Sequence, residues 1–254
     1  MKQDILGVQV SRINMKEALD VIEQCVVFPR LNYIVTPNPE FIVRAQKDKI
    51  FRDILNNAVI ALPDGFGLML AAKFLKRPLN QRITGVDFIW HVAELAEKND
   101  YSIYLYGAGK GIAKKTAQRL QKRFPHLKIL GAESGYDKDG KMNDALFVED
   151  IRLKSPDILL VALGAPKQEK WIAAHLPDFT GVKVAMGVGG AFDYISGSIK
   201  RAPKLIRKIG LEWLYRLILQ PWRIKRIFTA TIHFTYLVIK VKIMDSRLRG
   251  NDIQ

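Results

Sequence analysis

Ile158-Leu-Leu-Val-Ala-Leu163, followed at once by Gly164-Ala-Pro-Lys-Gln-Glu169, is the stretch that decides the fold. An apolar run with no polar alternation fits a strand buried on both faces, and such strands belong to parallel sheets covered by helices on both sides. Glycine and proline end the run, and residues 168–175 return to a helical period. Outward from this unit the same order recurs: a short β-rich run, a polar or glycine-rich loop, then a helical stretch. The spacing predicts strands over 33–36, 59–62, 102–106, 128–132, 158–163 and 183–186. Helices are expected over 40–46, 68–75, 86–98, 112–124, 144–154 and 168–175. The fold class is therefore α/β, a Rossmann-like and mainly parallel sheet covered by helices.

Near Ser196 the chain changes character and becomes helical, basic and aromatic, with Pro203 and Pro221 placed to start helices. The expected organisation is an α/β core over residues 1–195, a helical appendage over 196–244 and a frayed polar tail over 245–254. The 254 residues carry a net charge of +15, and from Lys200 onward 13 Lys and Arg face only Glu212, Asp245 and Asp252. That asymmetry points to an anionic partner, a nucleic acid or a phospholipid surface. Cys25 is the only cysteine, which excludes an intrachain disulfide and a cysteine metal cluster. Residues 1–12 lack an apolar run of signal-peptide length. The longest apolar stretch, 227–239, is broken by His233 and threonines, stopped by Lys240 and Lys242, and falls short of a spanning helix. The expectation is a cytoplasmic protein without a membrane span.

In an open parallel sheet, ligands bind at the carboxyl ends of the strands. The loops predicted there are Thr36-Pro-Asn-Pro-Glu40, Pro63-Asp64-Gly-Phe-Gly67, Tyr106-Gly-Ala-Gly-Lys-Gly111, Gly164–Glu169 and Gly187-Val-Gly-Gly-Ala-Phe-Asp193. Gly107 and Gly109 lack the spacing of a dinucleotide fingerprint, so they either admit a phosphate to backbone N–H groups or simply make a tight turn. Gly189 and Gly190 carry the same two readings. Asp64 either acts as a general base or caps the helix that follows, the commoner use of Asp at such a place. Arg82 either balances a leaving diphosphate or is solvated. Asn38 and Gln168 suit sugar hydroxyls, or else cap helices and fill turns. Asp137-Lys-Asp139 resembles a metal-binding DxD, but Gly-Tyr-Asp-Lys-Asp-Gly is rich in turn formers, and His91, His126, His175 and His233 have no ligand spacing. No metal and no cofactor are expected. In the appendage, Arg201, Arg207, Arg216, Arg223 and Arg226 alternate with Trp213, Tyr215, Trp222 and Phe228, a mixture suited to a membrane headgroup layer, to nucleic acid, or to a packed helical hairpin with a solvated face.

Taken together, these loops resemble one family. Thr36–Glu40, Pro63-Asp-Gly65, Arg82-Ile-Thr-Gly-Val-Asp87, Ala165-Pro-Lys-Gln-Glu-Lys-Trp171, Gly187–Asp193, Arg201-Ala-Pro203, Gly210-Leu-Glu-Trp-Leu-Tyr-Arg216 and Pro221-Trp-Arg223 are similar to the WecG/TagA/CpsF glycosyltransferases, glycosyltransferase family 26. The resemblance runs over residues 5 to 230 and leaves 227–254 without a role. It implies an inverting, metal-independent transfer of an N-acetyl-hexosamine, N-acetylmannosamine or its uronic acid, from UDP to undecaprenyl-diphosphate-linked N-acetylglucosamine. By the same resemblance Asp64 is the base. Thr36, Asn38, Arg82 and Gln168 surround the sugar and diphosphate, with Gly107, Gly109, Tyr136, Gly189, Gly190 and Asp193 also placed at the substrate. Arg201, Arg216, Arg223 and Arg226 are assigned to the acceptor diphosphate or the membrane. An anionic membrane surface, peripheral attachment and a homo-oligomer follow as expected partners, and nucleic acid does not. The competing classes are a nucleotide-binding oxidoreductase using the Gly107–Gly111 loop and a nucleic-acid-binding protein using the appendage. Neither accounts for Asp64, Arg82 and Gln168 on one predicted edge.

Overall fold

The computed structural model describes residues 1–28, 32–134 and 144–251. The chain opens with an antiparallel hairpin, β1 (Lys2–Ile5) and β2 (Val8–Ser11), absent from the sequence reading. It continues through α1 (Met15–Val27), β3 (Asn32–Val35), α2 (Pro39–Ala45), α3 (Lys49–Asn57), β4 (Ile60–Ala61), α4 (Phe66–Phe74) and α5 (Gly85–Lys98). Then come β5 (Ser102–Gly107), α6 (Ile112–Arg123), β6 (Lys128–Glu133), α7 (Asp144–Lys154), β7 (Ile158–Ala162), α8 (Lys167–His175), β8 (Val184–Gly187) and α9 (Ala191–Ile195). The basic region holds α10 (Lys204–Lys208), α11 (Glu212–Leu219), α12 (Ile224–Phe228) and α13 (Phe234–Asn251). Pro203 is the N-cap of α10, and Pro221 opens a short 3₁₀ turn before α12.

The main sheet has six parallel strands in the order β4-β3-β8-β7-β5-β6. All six predicted strands are present, with ends displaced by a residue or so. Successive side chains of a strand point to opposite faces, and here both faces are buried. Ile158, Leu160 and Ala162 join the core beneath α1, α5 and α6, while Leu159 and Val161 join the core beneath α8. Ile34 and Val35 divide the same way between the first core and the one that holds Phe41, Phe51 and Leu55. Helix starts follow local chemistry. Asn14 and Glu17 form a reciprocal capping box at α1, and the Thr84 hydroxyl accepts the Asp87 N–H at α5.

The C-terminal region departs most from expectation. The segment from α12 through a π-helical turn (Thr229–His233) into α13 is one uninterrupted helix. Its stretch Ile224–Met244, 21 residues, is long and apolar enough to cross a membrane, which corrects the shorter run counted from sequence. Phe234 and Val238 are nevertheless buried in the core shared with Phe41, Leu68 and Ala71, so this helix packs on the α/β layer. Residues 227–239, left without a role above, form part of the protein's core and of its cavity wall.

Candidate active site

At the carboxyl edge of the sheet, the loops after β3, β4, β5, β7 and β8 surround a cavity of about 1060 Å³, and the appendage closes its open side. Thr36, Asn38, Asp64, Arg82, Gly109, Gln168, Gly189, Gly190 and Asp193 line it, and so do Arg201, Arg216 and Arg226 of the appendage. Gly107 does not. Its φ is +103°, and an added Cβ would lie 2.8 Å from the Ala162 backbone, so glycine there serves close packing of β5 on β7. Tyr136 and the Asp137–Asp139 turn lie outside the described residues, as does the side chain of Arg223.

Asp64 is held by its backbone. Its N–H donates to the Pro37 carbonyl at 3.0 Å, and Ile83 N–H donates to the Pro63 carbonyl at 2.9 Å, tying the loops after β3 and β4 to the entry of α5. Its side chain is not a helix cap: the N-cap of α4 is Gly65, at φ +99°, with no side-chain capping bond. The carboxylate instead accepts from the Gly85 N–H. Burial pushes the Asp64 carboxyl up to about 6, and the Glu212 carboxylate adds to the rise. Arg82, the Gly85 N–H and Arg201 oppose it without cancelling it. The result is a carboxylate more basic than an exposed Asp, facing a cavity with several guanidinium groups.

Gln168 is 1% exposed and both ends of its carboxamide are engaged. Oε1 accepts from Gly164 N–H at 3.0 Å and Gly189 N–H at 2.9 Å, and Nε2 donates to Glu169 Oε1 at 2.7 Å. Gln168 thus pins the loop after β7 to the loop after β8 while lining the cavity. Glu169, absent from the sequence-based site, lies behind it with no exposure, and burial pushes its carboxyl up to about 7 against the Gln168 bond, its own backbone N–H and Arg44. Asn38 caps α2 by accepting from Phe41 N–H at 3.1 Å, which leaves its amide hydrogens for a ligand. The Thr36 hydroxyl donates to the Gly187 carbonyl at 3.4 Å.

The appendage is bound to the core by ion pairs around the same cavity. Arg201 bridges to Asp87 through Nη1 at 2.5 Å and Nη2 at 2.8 Å, reaches the Thr84 hydroxyl at 3.1 Å, and lies 3.5 Å from Glu212 through Nε. Burial works against the Asp87 charge, but the Arg201 and Thr84 bonds hold its carboxyl below the usual range. Arg201 thus fastens the appendage more than it faces solvent. Arg82 donates to the Arg207 carbonyl at 3.1 Å, and Arg226 grips Glu40 with contacts of 2.9 to 3.0 Å. Arg216 lies 5.0 Å over the Tyr194 ring. Trp213 also lines the cavity, as does Glu212, to which sequence reading gave no role. The signal for Glu212 was its isolation, a carboxylate between Lys200 and Met244 where all other charges are basic.

A base beside arginines, with glycine loops that admit phosphate oxygens to backbone N–H groups, suits transfer of a group away from a phosphate. The family model described as "Glycosyl transferase WecG/TagA/CpsF family" matches residues 3–248. That span includes most of the stretch after Arg226, which the motif comparison had left unmatched. The N-acetylglucosaminyldiphosphoundecaprenol N-acetyl-beta-D-mannosaminyltransferase of Bacillus subtilis (strain 168) is 36% identical over 217 residues, 85% of this chain and 83% of that protein. The protein of the same name from Staphylococcus aureus (strain MRSA252) is 33% identical over 243 residues, 95% of this chain and 93% of that one.

Proposed function

This chain belongs to the WecG/TagA/CpsF glycosyltransferase family and is a glycosyltransferase, and we propose that it moves N-acetylmannosamine, or its uronic acid, from UDP to N-acetylglucosamine carried on undecaprenyl diphosphate. The observation that carries this reading is Asp64, raised to about 6 and lining one cavity with Arg82, Arg216 and Arg226. At pH 7 to 8 such a group is mostly ionised, yet it is a stronger base than an exposed Asp. It takes the proton of the acceptor hydroxyl as that oxygen attacks the anomeric carbon from the face opposite UDP. The bond from carbon to the phosphate oxygen breaks, the configuration inverts, and UDP departs with the electron pair. Arg82 and the backbone N–H groups at Gly109 and Gly190 stabilise the charge that grows on the diphosphate, and no metal is assigned to this step. Asn38 and Thr36 orient the sugar. Arg216, Arg223 and Arg226 hold the acceptor diphosphate, and Gln168 and Glu169 fix the loops from behind.

The acceptor is a lipid, so the enzyme works at a membrane surface. Trp213, Ile218 and Trp222 are exposed beside basic side chains, as are Phe228, Ile232 and Tyr236 on the outer side of the C-terminal helix. This composition favours peripheral attachment to an anionic leaflet, each basic residue near the surface adding about 1 kcal/mol. The test is UDP release from UDP-N-acetylmannosamine with the lipid-linked acceptor, in EDTA, for wild type and Asp64→Asn. Acceptor-dependent release that survives EDTA and collapses in the variant is expected. Absence of release with every UDP-hexosamine sinks the substrate assignment, and full activity in the variant removes Asp64 from the base role.

A further inference from the structure

One flank of the cavity carries no charge and is mostly apolar. On α4, Phe66, Leu70 and Phe74 recur at every fourth residue, and all three line the cavity while remaining 40%, 54% and 51% exposed. Facing the same space, the C-terminal helix presents Ile227, Thr231, Thr235 and Ile239 at the same spacing. A spacing of four keeps side chains on one helix face, so each helix offers a continuous stripe. Between the stripes Ala71, Phe234 and Val238 line the cavity and are buried in a shared core, which gives the groove a closed floor.

The groove has a polarity along its length. At its inner end stands Arg226, paired with Glu40 in the cavity that holds Asp64, and the very next residue, Ile227, begins the apolar stripe. No charged residue of the C-terminal helix lines the cavity from Ile227 to Ile239. At the far end the Lys242 ammonium lies 5.8 Å over the Phe74 ring. At 1.5 Å per residue the α4 stripe is about 12 Å long and the facing one about 18 Å. Half-exposed aromatic and aliphatic side chains in a row mark a surface that meets an apolar partner. A single molecule with an anionic head and a hydrocarbon tail fits both parts, because the arginines and the apolar groove line one continuous cavity.

We propose that the groove between α4 and the C-terminal helix binds the first isoprene units of the acceptor's polyprenyl chain, so that the enzyme recognises the lipid as well as the sugar and diphosphate. The inference rests on the acceptor assignment above and adds a binding element to it. Holding the chain next to its diphosphate would fix the acceptor hydroxyl over Asp64 and leave only the distal chain in the bilayer.

The experiment uses the full chain, without detergent or vesicles, and water-soluble acceptors in which diphosphate-linked N-acetylglucosamine bears a methyl, one-isoprene or three-isoprene tail. Acceptor KM should fall by roughly tenfold or more from methyl to three isoprenes, from burial of the added hydrocarbon. Leu70→Ser, Phe74→Ser and Ile239→Ser, at exposed positions that leave the core intact, should each lose much of that gain. They should leave the methyl acceptor and the KM for UDP-sugar unchanged. A KM independent of tail length, with transfer intact, overturns the groove and spares the transferase reading. So does a tail-length dependence that the variants leave untouched, or one that arises only with vesicles, where the bilayer itself holds the chain. Sedimentation of the same samples covers the remaining occupant. If the variants shift a monomer–oligomer equilibrium and leave tail dependence unchanged, the groove is a contact between copies and the proposal fails. Absence of transfer to every acceptor removes the substrate reading and the groove assignment with it.

Discussion

Asp64→Asn keeps the size of the side chain and an oxygen for the Gly85 N–H, but removes the charge that the cavity disfavours. In the unfolded chain this carboxyl titrates near 3.8, and in the folded protein at about 6. A carboxyl raised on folding binds its proton more tightly in the native state, so it does no harm to stability in acid. The penalty develops as pH rises from 3.8 and is complete above about 6. At about 1.4 kcal/mol per pH unit between the two values, the ionised group costs the native state about 3 kcal/mol at pH 8. Water in the open cavity reduces this, and the expected gain for Asp64→Asn is about 1–3 kcal/mol. For a chain of this length that is a rise in Tm of roughly 3–10 °C at pH 8. Calorimetry at pH 4, 6 and 8 should show the two proteins together at pH 4 and separated at pH 8. Transfer activity should fall by about 10²- to 10⁴-fold, the worth of a general base. Equal Tm values at pH 8, or the same gap at pH 4 and pH 8, would refute the account of a base made strong by burial.

Glu169→Gln should keep the Gln168 bond and escape the loss of stability that wild type suffers between about pH 4.5 and 7, where the unfolded chain ionises while the buried carboxyl, raised to about 7, still holds its proton; above pH 7 that gap should be constant. Glu169→Ala should cost about 1–3 kcal/mol, because it leaves the buried Gln168 amide unpaired, and should raise the KM for UDP-sugar. Gly187→Ala places a methyl 2.8 Å from both Gln168 Nε2 and Glu169 Oε1, and is expected to lower stability by about 1–3 kcal/mol and to weaken UDP binding in titration calorimetry. Arg226→Ala breaks a half-exposed ion pair with Glu40, so Tm should move little, by under about 1 kcal/mol. Acceptor KM should nonetheless rise about tenfold from the loss of a charged hydrogen bond to phosphate, as measured by initial rates.

The sheet was legible because its strands are short, β-rich and apolar on both faces, a pattern that Ile158–Leu163 shows without ambiguity. The first hairpin was not. Lys2-Gln-Asp4 is polar and half-buried, and its partner strand packs against α3, an element distant in sequence. The α1 helix was also passed over, although Asn14 and Glu17 stand at capping-box spacing. Within the site, the loop positions of Asp64, Arg82 and Asn38 could be read from the alternation of strands and helices. The resemblance, and not spacing, favoured Asp64 as a base, and the positive φ at Gly65 removes the capping alternative. The loop-pinning bonds of Gln168 are not legible in sequence, because its three partners come from Gly164, Glu169 and Gly189, and a pairing with the residue next to it leaves no mark in composition. Glu212 acts on Asp64 across a gap of more than a hundred residues in sequence, which no local pattern encodes. The C-terminal helix was undervalued because threonines and His233 interrupt its apolar run when read linearly. Read at a spacing of four, Ile227, Thr231, Thr235 and Ile239 form a coherent face.

The wall supplied by Ile227–Ile239 comes from a segment translated after every strand of the sheet. During synthesis the core, Asp64 and the glycine loops can therefore be assembled on the ribosome while the cavity still gapes on one side. Glu212, which raises the Asp64 carboxyl, and Arg226, paired with Glu40, also come after every strand of the sheet. On the function proposed above, a chain stopped short of Ile227 would hold the loops of the site and lack one wall of its cavity.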